Sequence, residues 1–562
     1  MTYSQFGEMV RSFTHGLWEK GLKKGDRIAI LSNNRPEWVV ADMSGFCMQA
    51  VIVPVYQTLP ANQIQYILKD CEARAIIVEN QLQYNKIRDI KKNLPKLEFV
   101  ITFDELERGK TQVAKYTDIL ERGQKIKDKK KTQFNKSLKS LKPEEICTLV
   151  YTSGTTGDPK GVMLHHKGFI KDIVNSEKVL NLYPEDVFLS FLPLSHLYER
   201  LAGHWCPMYR GAAIHYARSI DTVVEDISIA KPTIMVSVPR LYEKVAAAVK
   251  EQIEHSSNFK RNLFFWALGT GLEYNKSIVG GKASNWLKRR YQFADKVVFS
   301  KIKKKLGGNF RIPIAGGAPL SVDTLKFFES IGLKIVEGYG MTETHLIITL
   351  TPYGKTKYGS CGKPIDGVDI KIAKDGEVLV KGDTVMKGYY NKPELTKEVI
   401  DKDGWLHTGD IGYLDEDKYL FLTDRKKNII VTSGGKNVAP APIEHLLKTS
   451  KYIDDICLVG NHRKFISAVV IPNFEMLKKY LDEKGTKIED HGDIVQNKEV
   501  IDLINGEFSS LQTSLASYET VKKFLLLAEP LSIEKGELTP SLKIKRSVVE
   551  KHYKDQIDNL YG

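Results

Sequence analysis

Apolar runs alternate with amphipathic segments through the first two thirds of the chain. Runs typical of buried strands lie at residues 26–31, 52–56, 74–78, 233–238 and 334–337. Between the second and third of these runs, residues 64–68 have the spacing of an amphipathic helix. Because strands covered on both faces are continuously apolar, the pattern predicts βα units with buried parallel strands.

Residues 230–306 are predicted to be mostly helical, with basic and aromatic side chains mixed. The pattern changes near residue 368. Residues 368–372 and 376–380 then alternate polar and apolar positions around a Lys-Asp-Gly turn, which indicates an antiparallel hairpin.

A small α+β pattern follows residue 424. It comprises a helix at 443–447, paired strands at 456–459 and 466–471, and further helices. We therefore predict an α/β protein in two domains. Residues 1–424 form a large domain of βα subdomains with a small antiparallel sheet or barrel, and residues 425–562 form a small mobile α+β lid.

The composition is that of a globular protein, with 562 residues of which 42% are hydrophobic and 27% charged. No apolar run approaches the roughly 18 residues of a membrane span. Apolar residues spaced along one helix face from Phe6 to Leu17 are unlike a signal peptide. The six cysteines form no Cys-x-x-Cys pair or His/Cys cluster, which argues against structural zinc and a disulfide framework. We expect a reducing, intracellular location, either cytoplasmic or peripheral on an intracellular membrane.

The net charge of +14 suits an anionic partner, such as an acidic substrate, anionic lipid or nucleic acid. The sequence contains no motif that reads RNA or DNA, so we expect no nucleic-acid partner. The densest basic run, residues 125–131, is interpreted as a solvated connector. The mixed basic and aromatic residues at 286–305 are the candidate for peripheral membrane association.

A loop rich in glycine and hydroxyl residues follows the apolar run at 146–150. Glycines let a backbone approach a polyphosphate, successive N–H groups form an anion nest, and a lysine adds charge. The loop lacks the ending of a Walker A loop, so an ordinary NTPase site fits poorly, and a flexible surface loop is the alternative. The candidate phosphate-binding residues are Thr152, Ser153, Gly154, Thr155, Thr156, Gly157 and Lys160.

Two further segments suit the rest of a nucleotide. Tyr339 has a flat face for purine stacking, and Glu343, close behind it, is a hard oxygen ligand suited to Mg²⁺. Asp410 follows a Gly turn, where a carboxylate accepts two hydrogen bonds from a ribose diol. The alternative for Asp410 is a cap or turn residue.

These segments, with others at 315–320, 424–427, 433–438 and 536–546, stand in the order found in adenylate-forming enzymes. That superfamily includes acyl-CoA synthetases, luciferases and peptide-synthetase adenylation domains. Over essentially its whole length the chain resembles a long-chain fatty-acid–CoA ligase. The resemblance implies activation of a fatty acid by ATP to an acyl-adenylate, release of pyrophosphate, and transfer of the acyl group to CoA. ATP and CoA are then co-substrates, and Mg²⁺ is the cofactor.

The resemblance implies catalytic roles for four matching residues. Lys543 touches the acyl carboxylate and the phosphate oxygens during adenylation, where a cation offsets charge on the transferring phosphoryl group. Glu343 coordinates Mg²⁺, and Thr155 contacts the metal site. His196 borders the carboxylate end of the acid pocket; a satisfied core histidine is the alternative.

The remaining roles implied by the resemblance concern the nucleotide and CoA. Asp410 binds the ribose hydroxyls, Arg425 meets ribose or phosphate, and Lys427 is the hinge. The nucleotide site also includes Gly316, Gly317, Ala318, Pro319, Glu337, Gly338, Tyr339, Gly340 and Thr342. After rotation about the hinge, the thioester half-reaction uses Ser433, Gly434, Gly435 and Lys436.

Two positions depart from the family pattern. Leu542 stands before the catalytic lysine where many members have Gly, as in other long-chain members. Residues 2–4 match a family segment that usually follows some tens of earlier residues, so we expect a short or truncated member.

A long acyl chain is indicated by residues 192–200, by residues 237–244 and by the helical insert after them, which resemble the long-chain branch. Five residues form either core or the lining of an acid tunnel: Phe188, Phe191, Leu197, Trp205 and Tyr209. A medium-chain or aryl acid–CoA ligase is the alternative enzyme, and a luciferase-type oxygenase is disfavoured. A non-catalytic fatty-acid or membrane-lipid binding protein is the alternative of a different class, against which the intact Lys543, Glu343 and Asp410 argue. The sequence predicts no oligomeric state.

Overall fold

The first of two large sheets organises the N-terminal part of the chain. The computed structural model describes residues 1–107, 113–152, 158–220, 222–279, 281–539 and 543–562. The strands of this sheet are β1 (Arg27–Leu31), β2 (Val51–Val55), β3 (Ala75–Val78), β4 (Phe99–Thr102), β5 (Ala114–Lys115), β6 (Ile146–Thr152) and β7 (Lys160–His165). Their order is β5-β4-β3-β1-β2-β6-β7, and neighbours pair in parallel except β6 with β7.

Helices cover both faces of this sheet. They are α1 (Tyr3–Glu19), α2 (Pro36–Cys47), α3 (Ala61–Asp70), α4 (Gln81–Ile90), α5 (Tyr116–Lys125) and α6 (Lys127–Lys139). Ile28 and Ile30 of β1 pack into a cluster with α1 and α2, while the alternate residues Ala29 and Leu31 pack with α3 and α4. Because side chains alternate across a strand, burial on both faces requires the continuous apolar run seen in the sequence.

A second seven-stranded sheet follows. Its strands are β8 (Val187–Ser190), β9 (Ala213–Tyr216), β10 (Ile234–Ser237), β11 (Ile312–Ala315), β12 (Val336–Tyr339), β13 (Thr349–Leu350) and β14 (Lys363–Pro364), in the order β14-β13-β12-β11-β10-β8-β9. Its helices are α7 (His166–Leu180), α8 (Cys206–Arg210), α9 (Val223–Ala230), α10 (Pro239–Glu254), α11 (Asn258–Val279), α12 (Asn285–Ala294), α13 (Ser300–Lys305) and α14 (Val322–Ser330). A π-helical turn, Glu199–Trp205, precedes α8. The parallel strands β8 to β12 bring several loops to one sheet edge, where ligands bind in such sheets.

A four-stranded antiparallel sheet completes the N-terminal part. It comprises β15 (Val368–Ile372), β16 (Glu377–Gly382), β17 (Leu406–Leu414) and β18 (Leu420–Arg425), with α15 (Pro393–Val399) between β16 and β17.

The C-terminal region, residues 426–562, has its own core. Its strands are β19 (Ile430–Val431), β20 (Asn437–Val438), β21 (Ile453–Val459), β22 (Ile466–Pro472) and β23 (Val521–Leu526). Its helices are α16 (Pro440–Leu447), α17 (Phe474–Glu483), α18 (His491–Gln496), α19 (Lys498–Leu511), α20 (Arg546–His552) and α21 (Lys554–Asn559). Strands β21 and β22 pair antiparallel and β22 and β23 parallel, which confirms the predicted α+β character.

The predicted α/β class and the hairpin at β15–β16 are confirmed. Residues 125–131, interpreted from the sequence as a solvated connector, span the end of α5 and the start of α6, with the lysines mostly exposed. All six cysteines are unpaired. Among the described residues, no helix combines the length and hydropathy needed to cross a bilayer.

Candidate active site

The ends of the predicted phosphate loop are held by the β6–β7 hairpin. Thr152, the last residue of β6, pairs across the hairpin with Lys160, the first residue of β7. The Lys160 ammonium lies 5.0 Å from the centroid of the Tyr389 ring. Five predicted loop residues lie outside the described residues: Ser153, Gly154, Thr155, Thr156 and Gly157.

Glu343 lies in a 3₁₀ turn, Thr342–Thr344, shortly after β12. The Tyr389 hydroxyl donates to Glu343 Oε1 at 2.9 Å, and the Met386 N–H donates to the Glu343 backbone oxygen at 2.8 Å. Burial raises the pKa of Glu343, while Tyr389 and then the charges of Arg425 and Lys160 oppose that rise. A desolvated carboxylate is thereby held within charge range of Arg425 and Lys160.

The chemistry of this site suits Mg²⁺. That ion is commonly bound through one or two carboxylates together with substrate phosphates and water, rather than in an all-protein cage. Glu343 supplies one hard oxygen ligand, and no cluster of three or more His, Cys, Asp or Glu ligands occurs in the described ranges. The residues present therefore fit a metal whose remaining ligands come from a polyphosphate.

Asp410 and Arg425 are cross-strand neighbours on β17 and β18. Arg425 Nε donates to Asp410 Oδ1 at 3.1 Å, and the Tyr339 hydroxyl donates to Asp410 Oδ2 at 2.6 Å. Asp410 is 6% exposed. Burial, followed by the negative charge of Asp410, raises the pKa of the Tyr339 hydroxyl. The contact joins the predicted stacking residue to the predicted ribose ligand.

The predicted adenine loop follows β11. Gly316 donates its N–H to Ser237 O at 3.2 Å, and a Cβ at this position would lie 2.9 Å from the Tyr198 ring. Gly317 has φ +83°, and the next residues, Ala318 and Pro319, are exposed. Only glycine fits both the close approach at 316 and the left-handed backbone at 317.

Strand β12 carries the rest of this motif. Glu337 Oε2 is buried without a hydrogen-bond partner, and burial raises the pKa of Glu337 to about 8. Gly338 pairs with Leu350 on β13. A Cβ at Gly340 would overlap the Leu346 carbonyl oxygen. The backbones at residues 340 and 346 therefore approach too closely for any residue with a side chain at 340.

His196 lies after β8 and faces Tyr56, with 6.4 Å between ring centroids. The Tyr198 N–H donates to His196 Nδ1 at 3.0 Å, which leaves the proton of the neutral ring on Nε2. Burial, with a further contribution from the Lys543 charge, lowers the pKa of His196 to about 4. The ring is therefore neutral at physiological pH and presents a hydrogen-bond donor.

A buried ion pair fixes the segment that carries His196. Arg200 binds the Asp42 carboxylate through Nε, at 3.1 Å, and through Nη2, and it donates to Thr148 Oγ1 at 2.9 Å. Its guanidinium lies 4.8 Å from the centroid of the Trp205 ring. Since Asp42 is on α2 and Thr148 on β6, the pair ties the two large sheets together beside the site.

Three of the five residues predicted as either core or tunnel lining are buried. Phe188, Leu197 and Trp205 lie in one cluster with the neighbouring strands and helices. Tyr209 is 58% exposed. Burial in this cluster favours the core interpretation for Phe188, Leu197 and Trp205.

Glu199, one turn beyond His196, is fully buried, and neither of its carboxylate oxygens makes a hydrogen bond. Burial raises its pKa from the ordinary 4.5 to about 8, with a smaller opposing effect of the nearby Ser190 hydroxyl. The folded protein therefore keeps a proton here that the unfolded chain releases. The associated stability is present below pH 4.5 and is lost as pH rises toward 8.

Glu199→Gln is expected to reduce the pH dependence of the free energy of unfolding between about pH 5 and 8. The slope should fall by up to about 1.4 kcal/mol per pH unit. The amide mimics the protonated carboxyl, so the variant should match the wild type at the acidic end and exceed its stability at the basic end. Thermal melting across this range measures the effect. Glu185→Gln, an exposed position before β8, is the control, and parallel pH profiles for wild type and Glu199→Gln would contradict the expectation.

Lys543 reaches this site from the C-terminal region. Its side chain lies close enough to Arg425, Asp410 and His196 for the charges to interact. Lys543 is exposed to solvent, yet desolvation by the surrounding protein lowers the pKa of its ammonium group. The Arg425 charge adds to this decrease, and the Asp410 charge opposes it. Residues distant in sequence thus come within charge range of one another.

Two exposed ion pairs connect the C-terminal region to the N-terminal part in this orientation. Arg240 Nη2 of α10 lies 3.5 Å from Asp454 Oδ1, and Glu251 Oε1 of the same helix lies 3.6 Å from Lys479 Nζ. At the predicted hinge, the Ala441 N–H donates to Asp424 Oδ2 at 2.8 Å. Because exposed ion pairs contribute little stability, breaking them costs little free energy.

The predicted hinge and CoA loop lie beyond these contacts. Lys427 is exposed in a 3₁₀ turn, Lys426–Asn428. The loop between β19 and β20 contains Ser433, Gly434, Gly435 and Lys436. Ser433 N–H donates to Arg463 O at 2.8 Å, and the Lys436 ammonium lies 5.7 Å from the centroid of the Tyr518 ring. These are contacts within the C-terminal region, so this orientation gathers Lys543, and not the CoA loop, with the nucleotide motifs.

Two residues of the site were missed by sequence reasoning. Tyr389 orients Glu343 across 46 residues of sequence, and Tyr198 packs under Gly316 while its amide sets the tautomer of His196. The Gly-Tyr-Tyr run at 388–390 is the one sequence signal for Tyr389, since Gly388 has φ +132° and marks an unusual turn.

Family comparisons cover both parts of the chain. A family model described as "AMP-binding enzyme" matches residues 1–390, and one described as "AMP-binding enzyme C-terminal domain" matches residues 427–562. The long-chain-fatty-acid–CoA ligase ACSBG2 of Xenopus laevis is 34% identical over 594 residues, covering 100% of this chain and 80% of the relative. The long-chain-fatty-acid–CoA ligase FadD15 of Mycobacterium bovis is 32% identical over 565 residues, covering 100% of this chain and 92% of the relative.

Solved structures share the fold. The A-PCP didomain of a carboxylic acid reductase from Segniliparus rugosus, solved in complex with AMP, superposes with a TM-score of 0.74 at 21% sequence identity. The match covers 100% of this chain and 76% of that structure. At this identity the likeness establishes the fold alone, and it confirms the predicted architecture.

Proposed function

Because the chain belongs to the AMP-binding enzyme family, we propose that it is an AMP-forming ligase that converts a long-chain fatty acid, ATP and CoA to acyl-CoA. One observation carries the proposal: Lys543 of the C-terminal region lies within charge range of His196, Asp410 and Arg425. This juxtaposition supports the proposal, because a cation beside a neutral donor suits the attack of a carboxylate on a nucleotide phosphate. The chemistry needs positioning and charge stabilisation rather than a protein nucleophile.

In the first step, the acid carboxylate attacks the α-phosphorus of ATP and pyrophosphate leaves. His196 Nε2–H donates to the acid carboxylate, and Lys543 stabilises charge on the transferring phosphoryl group. Asp410 accepts hydrogen bonds from the ribose while Arg425 and Tyr339 hold its carboxylate in place. Glu343, with Thr155, would hold Mg²⁺, which when bound neutralises phosphate charge.

In the second step, the CoA thiol attacks the acyl-adenylate and AMP leaves. We place the boundary between two domains at residues 424 and 425, with Lys427 as the hinge, so that rotation removes Lys543 from the site. The loop Ser433–Lys436 then takes its place. Breaking the Arg240–Asp454 and Glu251–Lys479 pairs accompanies this rotation.

A panel of acids tests this function. Wild-type protein with ATP and CoA is expected to form AMP and acyl-CoA in equal amounts, with kcat/KM highest for long chains and low for medium-chain and aryl acids. An optimum at medium-chain or aryl acids would show that the enzyme acts on a different class of acid within the same family. Pyrophosphate exchange without thioester formation would show that the acyl acceptor is not CoA. Absence of exchange with every acid would favour a non-catalytic lipid-binding protein.

Peripheral association with a membrane is also part of the proposed function. Long-chain acids and their CoA esters partition into bilayers, so an enzyme that uses them gains substrate by working at a bilayer surface. The exposed basic residues of the N-terminal part supply attraction to anionic lipid.

A further inference from the structure

Residues 386–390 contact both strand β7 and the turn that carries Glu343. The Tyr390 N–H donates to Gly161 O of β7 at 2.8 Å, and the Met386 N–H donates to Glu343 O at 2.8 Å. Strand β7 begins shortly after the predicted phosphate loop. Backbone hydrogen bonds of this segment therefore link the hairpin that holds the phosphate loop to the candidate metal ligand.

The backbone of Tyr389 is fixed from two sides. It forms a β-bridge with Val162 of β7, and its N–H donates to Thr396 Oγ1 of α15 at 2.9 Å. A Cβ on the preceding residue, Gly388, would lie 2.7 Å from Thr396 Cγ2, so the chain passes close to α15 there. The Tyr389 side chain is 7% exposed and belongs to the core cluster that includes Val162. Packing therefore holds the ring in one orientation.

The Tyr389 side chain contacts two charged residues of the site. Its hydroxyl donates to Glu343 Oε1 at 2.9 Å, and the Lys160 ammonium lies 5.0 Å from the centroid of its ring. Within the described ranges, Tyr389 is the one side chain that hydrogen-bonds to Glu343. A single tyrosine thus contacts the candidate metal ligand with its hydroxyl and a phosphate-binding cation with its face.

Each contact restrains a charged group. A hydrogen bond to one carboxylate oxygen orients the carboxyl group and leaves acceptor capacity on the other oxygen for a cation. Loss of such a partner typically costs about 10- to 100-fold in metal affinity or activity. An ammonium group over an aromatic face is attracted by the ring quadrupole, which limits the freedom of the long lysine side chain.

We propose that Tyr389 is a positioning residue that sets the placement of both the metal ligand Glu343 and the phosphate-binding Lys160. Its hydroxyl acts through Glu343 on metal binding, and its ring acts through Lys160 on the nucleotide phosphates. The two contacts can be separated by substitution, because phenylalanine retains the ring and lacks only the hydroxyl. The proposal rests on the roles of Mg²⁺ and ATP in the proposed function.

Calorimetric titration with an ATP analogue tests the role of the hydroxyl. The analogue has a methylene group between the α- and β-phosphorus atoms, so pyrophosphate cannot leave and the measurement needs no turnover. The metal enhancement is defined as the affinity for the analogue with Mg²⁺ divided by the affinity with a chelator. Tyr389→Phe should lower this enhancement by about tenfold or more, while its affinity for AMP without metal should stay at the wild-type value.

Tyr389→Leu tests the role of the ring. It removes the face on which the Lys160 ammonium lies as well as the hydroxyl. The affinity for the analogue in chelator should therefore fall by about two- to fivefold in Tyr389→Leu and remain unchanged in Tyr389→Phe. Because Tyr389 is buried, the melting temperature and the AMP affinity of each variant verify that it is folded.

Two further substitutions serve as controls. Tyr390→Phe removes the hydroxyl of the adjacent residue, which contacts β7 through its backbone, and should behave like the wild type. Glu343→Gln should lose the metal enhancement. The double variant Tyr389→Phe/Glu343→Gln should show no lower enhancement than Glu343→Gln alone, because the hydroxyl acts through the carboxylate. A general structural defect of Tyr389→Phe would instead add to the effect of Glu343→Gln.

Three outcomes would overturn the proposal. If Glu343→Gln loses the metal enhancement and Tyr389→Phe retains it, the hydroxyl does not position the metal ligand. If Tyr389→Leu binds the analogue in chelator as tightly as Tyr389→Phe does, the ring does not position Lys160. If Glu343→Gln also retains the enhancement, Glu343 is not the metal ligand, and the proposed metal site fails together with this inference.

Discussion

Lys543→Ala is expected to reduce fatty-acid-dependent ATP–pyrophosphate exchange by about 10²- to 10³-fold. The lysine is the group that the C-terminal region contributes to the cluster of His196, Asp410 and Arg425. Its ammonium group would stabilise the charge that develops on the phosphoryl group, and an alanine leaves that charge to Arg425 and Lys160. Since the interaction strengthens in the transition state, kcat should fall more than KM rises.

The second half-reaction distinguishes a catalytic role of Lys543 from a structural one. If the C-terminal region rotates between steps, Lys543→Ala should still convert supplied acyl-adenylate and CoA to acyl-CoA at a rate close to wild type. Lys545→Ala is the matched control, since Lys545 lies two residues away and, as the N-cap residue of α20, makes no capping hydrogen bond with its side chain. Retained exchange in Lys543→Ala, or equal loss in both variants, would remove Lys543 from the first step.

Sequence patterns predicted the sheets well because burial on both faces leaves a direct mark on composition. Strands β1, β2 and β3 lie within a residue of the predicted runs, since every position in such a strand must be apolar. The antiparallel hairpin at β15–β16 was found for the complementary reason: one face of β15 is exposed, which imposes alternation on that strand. The family prediction is confirmed by the matching family models.

Contacts between residues distant in sequence could not be predicted from these patterns. The Tyr389–Glu343 hydrogen bond and the Arg200–Asp42 pair each join segments whose local sequence is compatible with many surroundings. The run of lysines at 125–131 shows the same limit, since helical and irregular segments both accept solvated lysines. The Arg240–Asp454 and Glu251–Lys479 ion pairs between the two parts of the chain are likewise encoded by no local pattern.

The site roles predicted from motifs stay predictions. In the structure, however, the charges of these residues act on one another. Lys160, Arg425 and Lys543 supply three cations around Glu343 and Asp410, and the charges of Arg425 and Lys160 favour ionised Glu343 against the cost of burial. A bound polyphosphate adds negative charge to this cluster. The excess of cations over carboxylates is therefore what a site for an anionic nucleotide requires.

Asp410→Asn is expected to weaken binding of AMP and ATP by about 100-fold, which corresponds to the loss of roughly two charge-assisted hydrogen bonds. Asp410 accepts from Tyr339 and Arg425 and would accept from the ribose diol as well, so its two oxygens serve several donors at once. An asparagine supplies one acceptor oxygen and turns an NH₂ group toward a donor. The ribose and the Tyr339 ring should both lose their fixed position.

Calorimetric titration with AMP measures this loss without requiring turnover. Asp403→Asn, an exposed position in the turn before β17, is the control for removal of one negative charge and should bind AMP like the wild type. A 2′,3′-dideoxy nucleotide provides the sharper test, because it lacks the hydroxyls that Asp410 would hold. Wild type should prefer AMP strongly over the dideoxy analogue, whereas Asp410→Asn should bind the two about equally. An unchanged preference in the variant would show that Asp410 acts on Tyr339 and Arg425 alone, and that the ribose is held by another group.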